Sequence, residues 1–429
     1  MPSAVAPLAQ RMTSPPSTDM PHFVRPQGAR LVLALFALAL GGFGIGTTEF
    51  ATMGVLPEIS DDLRTSIPST GHLISLYALG VVVGAPLLAV LGARLPRKQL
   101  LLGLMLAFTV ANLASALAPS FGLLAVGRFL SGLPHGAYFG IGSVVAARLV
   151  APERRGRAVA TMMAGLTTAN LAGVPLSTVL GQAYGWRATY VVVTVLGALT
   201  LLALALWLPH VPGDPAVGMR SELNGLRERQ VWLTVLTGAI GFGGFFAVYS
   251  YIAPTLTDVS GYAAGSISFI LALFGLGMTL GNVLGGRLAD WSVDKTLRLG
   301  LGSLVVVLLA FTVLVHGRAT AAIGVFLLGG SGSAMIPALQ ARLMDVSGSA
   351  QALGAALNHS ALNVANALGA WLGGLVIAAG FGYPSTAVVG AALAAAGLLV
   401  VLIGRRLPSG REQAHPAEAA RQLVSAGTG

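Results

Sequence analysis

Most of this 429-residue sequence lies in long windows that contain no charged side chain. Charged residues make up 9% of the chain, whereas soluble proteins carry about 25%, so the composition excludes an ordinary soluble fold. A helix that crosses the roughly 30 Å hydrocarbon core of a bilayer needs about 20 apolar residues. Ten windows suffice for one such helix each, and the last is long enough for two. The sequence therefore predicts an all-α membrane protein with twelve transmembrane helices, in the windows 31–48, 65–93, 99–127, 129–147, 158–186, 188–213, 230–257, 259–286, 299–317, 319–341 and 346–404.

The basic residues predict which side of the membrane each connection faces. Cytoplasmic connections carry an excess of Lys and Arg. If the N-terminus is cytoplasmic, the tails and the even-numbered connections hold 21 of the 25 Lys and Arg, and the remaining connections hold three. We therefore expect both termini in the cytoplasm. This distribution also explains the net charge of +10, so no nucleic-acid partner is expected.

Polar segments divide the chain into five parts. Residues 1–29 and 405–429 are predicted to be disordered cytoplasmic tails. The longest polar interruption, residues 209–230, is predicted to be a cytoplasmic linker between two six-helix bundles, residues 30–208 and 231–404. The chain has no cysteine, which excludes disulfides and thiolate metal sites. No metal or cofactor is expected.

The second half of the sequence repeats the first at an offset of 197 residues. A parallel duplication of six spans is the plan of transporters whose halves rock about a site near the middle of the membrane. Glycines spaced four residues apart allow helices to pack closely in such bundles. The fold expected is thus two pseudo-symmetric six-helix bundles. The matching residues include Pro57 with Pro254, Tyr77, Gly80 and Gly84 with Phe274, Gly277 and Gly281, and Gly127, Phe129 and Gly132 with Gly324, Phe326 and Gly329.

One carboxylate and one arginine lie within the predicted spans, and they are the candidates for energy coupling. The sequence has no phosphate-binding loop, so an ion gradient is the expected energy source. Glu49 and Arg128 lie roughly 8 and 10 Å below the same surface at 1.5 Å per residue. Because a charge in hydrocarbon is costly, we expect them to face each other. Glu49 is then the candidate proton carrier, and the alternatives are a static ion pair or a Glu49 that is only hydrated by a cavity open to the outside.

Aromatic and polar side chains within the spans are candidates for a substrate cavity. His135 follows Arg128 by seven residues on the same helix face, and His359 lies in a polar stretch that includes Asn363. An aromatic-lined pocket with a few polar groups suits a small uncharged amphipathic molecule. Ordinary helix packing and lipid contact are the alternatives. The predicted cavity residues are Tyr77, His135, Tyr138, Asn170, Phe245, Tyr249, His359 and Asn363.

Three segments resemble signatures of the major facilitator superfamily, over about residues 30–405. Residues 127–140 (GRFLSGLPHGAYFG) are similar to its fourth-helix signature, whose arginine is implicated in proton coupling. Residues 286–290 (GRLAD) resemble the signature that joins the second and third helices of each half; in the first half, Ala93 replaces the aspartate. Residues 169–178 resemble the fifth-helix signature of exporters, without its full set of glycines. The resemblance implies a gating role for Arg94, Arg97, Lys98 and Asp290.

Further segments resemble one subgroup of that superfamily. Residues 46–50 (GTTEF), 77–86 (YALGVVVGAP) and 134–136 (PHG) are similar to bacterial arabinose-efflux-like permeases and actinomycete chloramphenicol-resistance exporters. The resemblance implies a drug:proton antiporter of the bacterial plasma membrane, with chloramphenicol as the first substrate to test. Its expected partners are a small molecule, protons and the lipid bilayer, and a monomer is the expected state.

Two other functions are alternatives. One is a sugar or sugar-derivative efflux permease, which would use more amide and acidic groups within the membrane. The other is a membrane-embedded enzyme. That is disfavoured because the outer loops carry only a solvated turn and a helix end, with Glu58, Asp61, Asp62 and Asp258.

Overall fold

The computed structural model describes residues 26–92, 95–151, 154–211, 228–347 and 351–406, and the secondary structure in these ranges is helical. Most of the predicted tails and linker lie outside the described residues. The described residues form twelve long helical segments: α1 (Gly28–Gly54), α2 (Ile67–Leu91), α3 (Arg97–Ala116), α4 (Phe121–Arg148), α5 (Arg155–Tyr184), α6 (Arg187–Trp207), α7 (Arg229–Tyr249), α8 (Ile267–Trp291), α9 (Val293–Leu314), α10 (Arg318–Val346), α11 (Gln351–Ala378) and α12 (Ser385–Arg406).

The helices match the length and apolar character of membrane spans. Eleven of the described helices are long and apolar enough to cross a bilayer. The twelfth, α4, has 28 residues but is less apolar, because it contains Arg128, Pro134 and His135. Large apolar side chains point outward from the bundles, such as Val313, which is 73% exposed, as expected for surfaces that face lipid. The chain is a multi-pass membrane protein of the predicted fold class.

Several helices extend beyond the uncharged windows of the sequence. Arg128 separates two windows, yet it lies inside α4, and the connection before α4 covers residues 117–120. Ser120 caps this helix by accepting a hydrogen bond from the backbone N–H of Leu123. Arg287 and Asp290 are likewise helical, in the last turns of α8. A charged residue ends an apolar window without ending the helix that carries it.

Helices α1 and α7 break at equivalent points near their ends. Val55 has φ −118° and ψ 21°, and Tyr251 has φ −115° and ψ 22°. Each break is followed by a short helix, Leu56–Asp62 or Ile252–Asp258. Pro57 and Pro254 lie in the first turn of these short helices, and proline cannot donate the backbone hydrogen bond that would continue the preceding helix. The repeated proline therefore gives both halves the same bend.

The end of the first short helix is tied to α6 by a surface cluster. Asp62 Oδ2 accepts hydrogen bonds from Arg187 Nη1 at 2.6 Å and from Trp186 Nε1 at 2.9 Å. These hydrogen bonds hold the pKa of the Asp62 carboxyl below its usual value. Arg187 Nη2 also donates to the backbone oxygen of Ala118, before α4. The cluster fixes three connections on one surface of the bundle.

The predicted repeat is present in the helix packing. Helices α2 and α4 in the first half approach so closely at two glycines that a Cβ atom would overlap a backbone oxygen of the partner helix, and α8 and α10 do the same in the second half. The two sets of contacts are related by the 197-residue offset of the sequence repeat. They pair Gly80 with Phe129, Gly84 with Leu133, Gly277 with Phe326, and Gly281 with Gly330.

Two helix pairs form the interface between the bundles. Helix α2 packs along α11, and α5 packs along α8. Exchanging the halves at the repeat converts one of these contacts into the other, as a pseudo-twofold axis requires. Ser75 Oγ donates to the backbone oxygen of Ala367 in the first contact, and Gln182 Nε2 donates to that of Ala264 near the second, both at 3.1 Å.

Candidate functional site

A cavity of about 450 Å³ lies between the two bundles. Helices α1, α4 and α5 line one wall, and α7, α8, α10 and α11 line the other. Glu49 and Phe50, near the end of α1, form its deep end. From there it extends to Gln340 and Met344, near the end of α10. Because successive helices are antiparallel, α10 ends on the side where α1 begins and α12 ends, which we call the terminal side.

The opposite side of the bundle interface is sealed by Tyr251. This side chain, from the C-terminal half, is buried, and its hydroxyl donates to the backbone oxygen of Ala370 at 2.6 Å. Its ring and hydroxyl lie against Gly71 of α2 and against Gly373 and Gly374 of α11. A Cβ atom on Gly71 would overlap the Tyr251 hydroxyl. The structure is therefore closed on this side and opens toward the terminal side.

Arg128 is fully buried within the N-terminal bundle. Its Nη1 donates to the backbone oxygen and to Oγ1 of Thr48, both at 3.1 Å. Thr48 Oγ1 in turn donates to Asn112 Oδ1 at 2.7 Å. The guanidinium carbon lies 4.3 Å from the ring centroid of Tyr77 and 5.7 Å from that of Tyr190. Residues of α1, α2 and α6 thus surround the guanidinium that α4 carries, and Asn112 of α3 supports Thr48.

The expected face-to-face pairing of Glu49 with Arg128 is wrong for this conformation. Arg128 binds Thr48, the residue before Glu49, and its Nε and Nη2 have no hydrogen-bond partner among the described residues. Consecutive side chains point about 100° apart around a helix. Thr48 therefore faces the bundle interior, whereas Glu49 faces the cavity. Arg128 and the Glu49 side chain therefore lie at different faces of α1.

The structure places five of the eight predicted cavity residues in the cavity wall. These are His135, Asn170, Phe245, His359 and Asn363. The wall also contains aromatic neighbours of Phe245 on α7, and Phe50 stacks on Phe246 with ring centroids 6.2 Å apart. The aromatic part of the wall lies beside Glu49.

The three predicted tyrosines lie behind the wall, which corrects the sequence prediction. The Tyr77 hydroxyl lies 3.0 Å from Nδ1 of His135, and Tyr138 donates to the backbone oxygen of Leu38 at 3.0 Å. The Tyr249 ring stacks on Phe274, with centroids 3.9 Å apart. Each of these tyrosines is buried, because each occupies the face of its helix that packs within the protein.

Three rings join the bundles between α4 and α11. Phe139 and His359 stack nearly parallel, with centroids 5.3 Å apart. His135 lies 5.3 Å from Phe139 and 6.2 Å from His359. The two histidines therefore come from different halves and meet at the cavity wall.

Sequence reasoning missed the uncharged polar residues of α8 and α10. Asn282, Ser333 and Gln340 line the cavity, and Asn358 of α11 lies 3.5 Å from Gln340. The available signal was a polar side chain inside an otherwise apolar window. Apolar lining residues that were also missed include Met163, Leu166, Met278, Ile336 and Met344.

The predicted gating residues show different arrangements. Lys98 Nζ donates to the backbone oxygen of Ala205 at 2.7 Å, and the Arg97 backbone N–H donates to Val211. Both therefore hold the terminal-side end of α6, within their own half. Asp290 is exposed and has no hydrogen-bond or ion-pair partner among the described residues, and its expected pairing with a helix end or an arginine stays a prediction. Arg94 and Ala93 lie outside the described residues.

Comparison with known proteins identifies the family. The family model described as Major Facilitator Superfamily matches residues 38–346 and 248–427. The inner membrane transport protein YdhP of Escherichia coli (strain K12) is 43% identical over 372 residues, which cover 87% of this chain and 96% of that protein. The putative transporter AraJ of Escherichia coli (strain K12) is 36% identical, and the match covers 86% of this chain and 94% of that protein. A chloramphenicol resistance protein of Streptomyces lividans is 34% identical, and the match covers 86% of this chain and 94% of that protein.

A solved structure shows the same fold. It is a bacterial homologue of the human lysosomal transporter Spinster in an inward-facing and unoccupied conformation. It matches with a TM-score of 0.69 at 16% identity and covers 88% of this chain and 96% of its own. The predicted resemblance is confirmed, and the chain belongs to the major facilitator superfamily.

Proposed function

We propose that this transporter exports a small uncharged amphipathic molecule in exchange for protons, with chloramphenicol as the first compound to test. It acts as a monomer in a bacterial plasma membrane. Both termini lie in the cytoplasm, as the distribution of Lys and Arg indicates. The described structure is then the conformation open to the cytoplasm, ready to accept its substrate.

The observation that carries this proposal is the position of Glu49. It is the one carboxylate among the described residues that line the cavity, and it lies beside an aromatic wall formed by Phe50, Phe242, Phe245 and Phe246. A proton and an amphipathic molecule therefore share one cavity. Sharing a site is the simplest physical basis for exchange, because binding of one partner changes the free energy of binding of the other.

Arg128 supplies a means of coupling the charge of Glu49 to conformation. Its guanidinium is attached to Thr48 on the same turn of α1. When α1 moves during alternating access, the distance from the guanidinium to the Glu49 carboxylate changes, and a nearby positive charge favours the ionised acid. Glu49 would release its proton where Arg128 approaches and take one up where Arg128 withdraws.

The name of the Streptomyces lividans relative supports the direction of transport. It is a chloramphenicol resistance protein, and a Mycobacterium tuberculosis relative with 32% identity is named a chloramphenicol efflux pump. Chloramphenicol is neutral and combines an aromatic ring with hydroxyl and amide groups. These groups suit a cavity that has an aromatic wall and several carboxamides.

The experiment is chloramphenicol-driven proton release in inverted membrane vesicles. Wild type should release protons, and Glu49→Gln should bind the drug but release none, because glutamine keeps the shape of the side chain without its titration. The matched control is Glu58→Gln, which changes a carboxylate outside the cavity in the same way. Proton release by Glu49→Gln at the wild-type rate would contradict the proposal.

Sugar efflux is a second candidate, and the carboxamides of the wall favour it. Asn170, Asn282, Gln340, Asn358 and Asn363 give the cavity more amide groups than the sequence analysis expected. The same vesicles, supplied with arabinose in place of the drug, distinguish the candidates. Proton release driven by arabinose alone would assign the cavity to sugars.

A further inference from the structure

We infer that the cavity recognises its substrate as a hydrogen-bond donor, through the side-chain oxygens of Asn170 and Asn363 together with Glu49. The transported molecule then carries at least two O–H or N–H groups attached to an aromatic body. This inference rests on the proposed function, since it names the class of molecule that the same cavity takes.

Asn170 and Asn363, one from each half of the protein, use their amide groups in the same way. Asn170 lies in the π-helical turn Ala169–Gly173 of α5, and its Nδ2 donates to the backbone oxygen of Leu166 at 3.1 Å. Asn363 lies on α11, and its Nδ2 donates to the backbone oxygen of His359 at 3.0 Å. The two residues are 4% and 3% exposed, and both line the cavity. Neither Oδ1 atom has a partner among the described residues.

The orientation of both amide groups follows from chemistry. A backbone carbonyl oxygen can only accept a hydrogen bond, so the atom of each asparagine that faces it must be the nitrogen. The oxygen must then occupy the other position. Each of these two side chains therefore keeps an unpaired acceptor, and its donor is already used within its own helix.

An unpaired acceptor in a buried position is unfavourable. Buried polar groups are nearly always hydrogen-bonded, and each one left unpaired costs about 1–3 kcal/mol. Helix stability does not require a carboxamide at either position, since an apolar residue would carry no such penalty. A donor from a bound molecule would satisfy both oxygens.

The other polar groups of the wall agree with a donor-bearing ligand. Glu49 is an acceptor when ionised. Ser333 also has an unpaired side chain, and its hydroxyl can donate or accept. His135, also a residue of the wall, uses Nδ1 with the Tyr77 hydroxyl. Arg128 is absent from the wall, so the described lining offers no arginine or lysine to an anionic ligand.

The test compares two probes, 1-phenyl-1,3-propanediol and its dimethyl ether, in which two methyl groups replace the two hydroxyl hydrogens. Ligand binding to the purified transporter is measured from the rise in its thermal unfolding temperature with ligand concentration. Both probes keep the ring and the ether or hydroxyl oxygens, but only the diol can donate. We expect wild type to bind the diol at least about tenfold more tightly than the diether, as for the loss of one or two hydrogen bonds.

Variants assign the preference to the proposed atoms. Asn363→Leu removes the acceptor and should reduce the preference for the diol to about threefold or less. The matched control is Asn366→Leu, the same change three residues later on α11, at a buried asparagine outside the cavity wall, and it should keep the wild-type preference. If either variant fails to fold, the comparison of the two probes on wild type still decides the question.

Three results would overturn the inference: equal binding of diol and diether to wild type, binding of neither probe, or an unchanged preference in Asn363→Leu. Failure of the proposed function is recognised separately. A protein that prefers the diol but releases no protons in vesicles would keep the donor preference and lose the antiport mechanism.

Discussion

Substitution of Gly71 by alanine should open the sealed side of the transporter. A Cβ atom at this position overlaps the Tyr251 hydroxyl. The hydroxyl is the end of a side chain and could in principle yield, but it donates to Ala370, and its ring lies against Gly373 and Gly374. Gly71 and Tyr251 belong to different bundles, so the overlap exists only while the bundles are closed on this side.

The size of the effect follows from this geometry. Overpacking a well-packed site costs about 1–3 kcal/mol, and we expect about 1–2 kcal/mol because part of the overlap is relieved by a small shift of Tyr251. A destabilisation of this size changes the ratio of sealed to open molecules about 5- to 30-fold. The population should move toward the conformation that is open opposite the terminal side.

The assay uses spin labels on that side of the interface. The chain has no cysteine, so Ser66→Cys before α2 and Phe381→Cys after α11 provide two unique labelling sites, both exposed. Electron–electron double resonance should show a longer distance in Gly71→Ala than in the parent. Gly103→Ala is the matched control, because a Cβ atom there meets nothing within 4 Å. A lower unfolding temperature with an unchanged distance distribution would refute the reasoning, since the overlap would then burden both conformations equally.

Two further predictions concern charged groups. Arg128→Lys should retain part of the proton release in inverted vesicles, whereas Arg128→Ala should abolish it. An ammonium keeps the charge but cannot reproduce the planar guanidinium that binds Thr48 and lies over Tyr77. Equal proton release by the two variants would contradict this prediction. Asp62→Asn should lower the unfolding temperature by an amount that is constant above about pH 5 and shrinks below about pH 4. The pKa of Asp62 is depressed in the folded protein, so its stabilisation is lost as pH falls through that pKa, and a difference that is independent of pH would show that the hydrogen bonds to Arg187 and Trp186 contribute nothing.

The architecture could be predicted from the sequence because the bilayer imposes simple requirements. Twelve spans follow from window length, and the duplication follows from matches at one offset, which reappear as equivalent close approaches at Gly80 and Gly277. Depth in the membrane was predictable too, since α4 begins at Phe121 and places Arg128 level with Glu49. Depth depends only on counting residues along a helix.

The face of each helix that meets the cavity was less predictable from the sequence. Glu49 and Thr48 differ by one residue, yet one faces the cavity and the other binds Arg128. The tyrosines at 77, 138 and 249 are of the right type for a cavity but point into the bundles. Which face of a helix meets the cavity depends on the tilt and contacts of its neighbours, and one sequence does not contain that information explicitly.

The offset that relates the two halves also shows how their roles differ. At equivalent positions, Glu49 corresponds to Phe246 and Arg128 to Val325. On the fifth helix of each half the relation is reversed, because Leu166 corresponds to Asn363. The two bundles therefore keep the same backbone contacts while their buried side chains have diverged.

This divergence gives the two halves different roles in one cavity. The N-terminal half holds both charges, so the proposed proton chemistry is confined to it. The C-terminal half contributes Phe242, Phe245, Phe246 and most of the carboxamides to the wall, which suits contact with the substrate. The proton then acts on the N-terminal bundle, whereas the substrate contacts both bundles, and both can influence the rotation of one bundle against the other. A symmetric scaffold with asymmetric side chains can therefore couple the two events, because Glu49 carries the proton in the cavity whose opposite wall contacts the substrate.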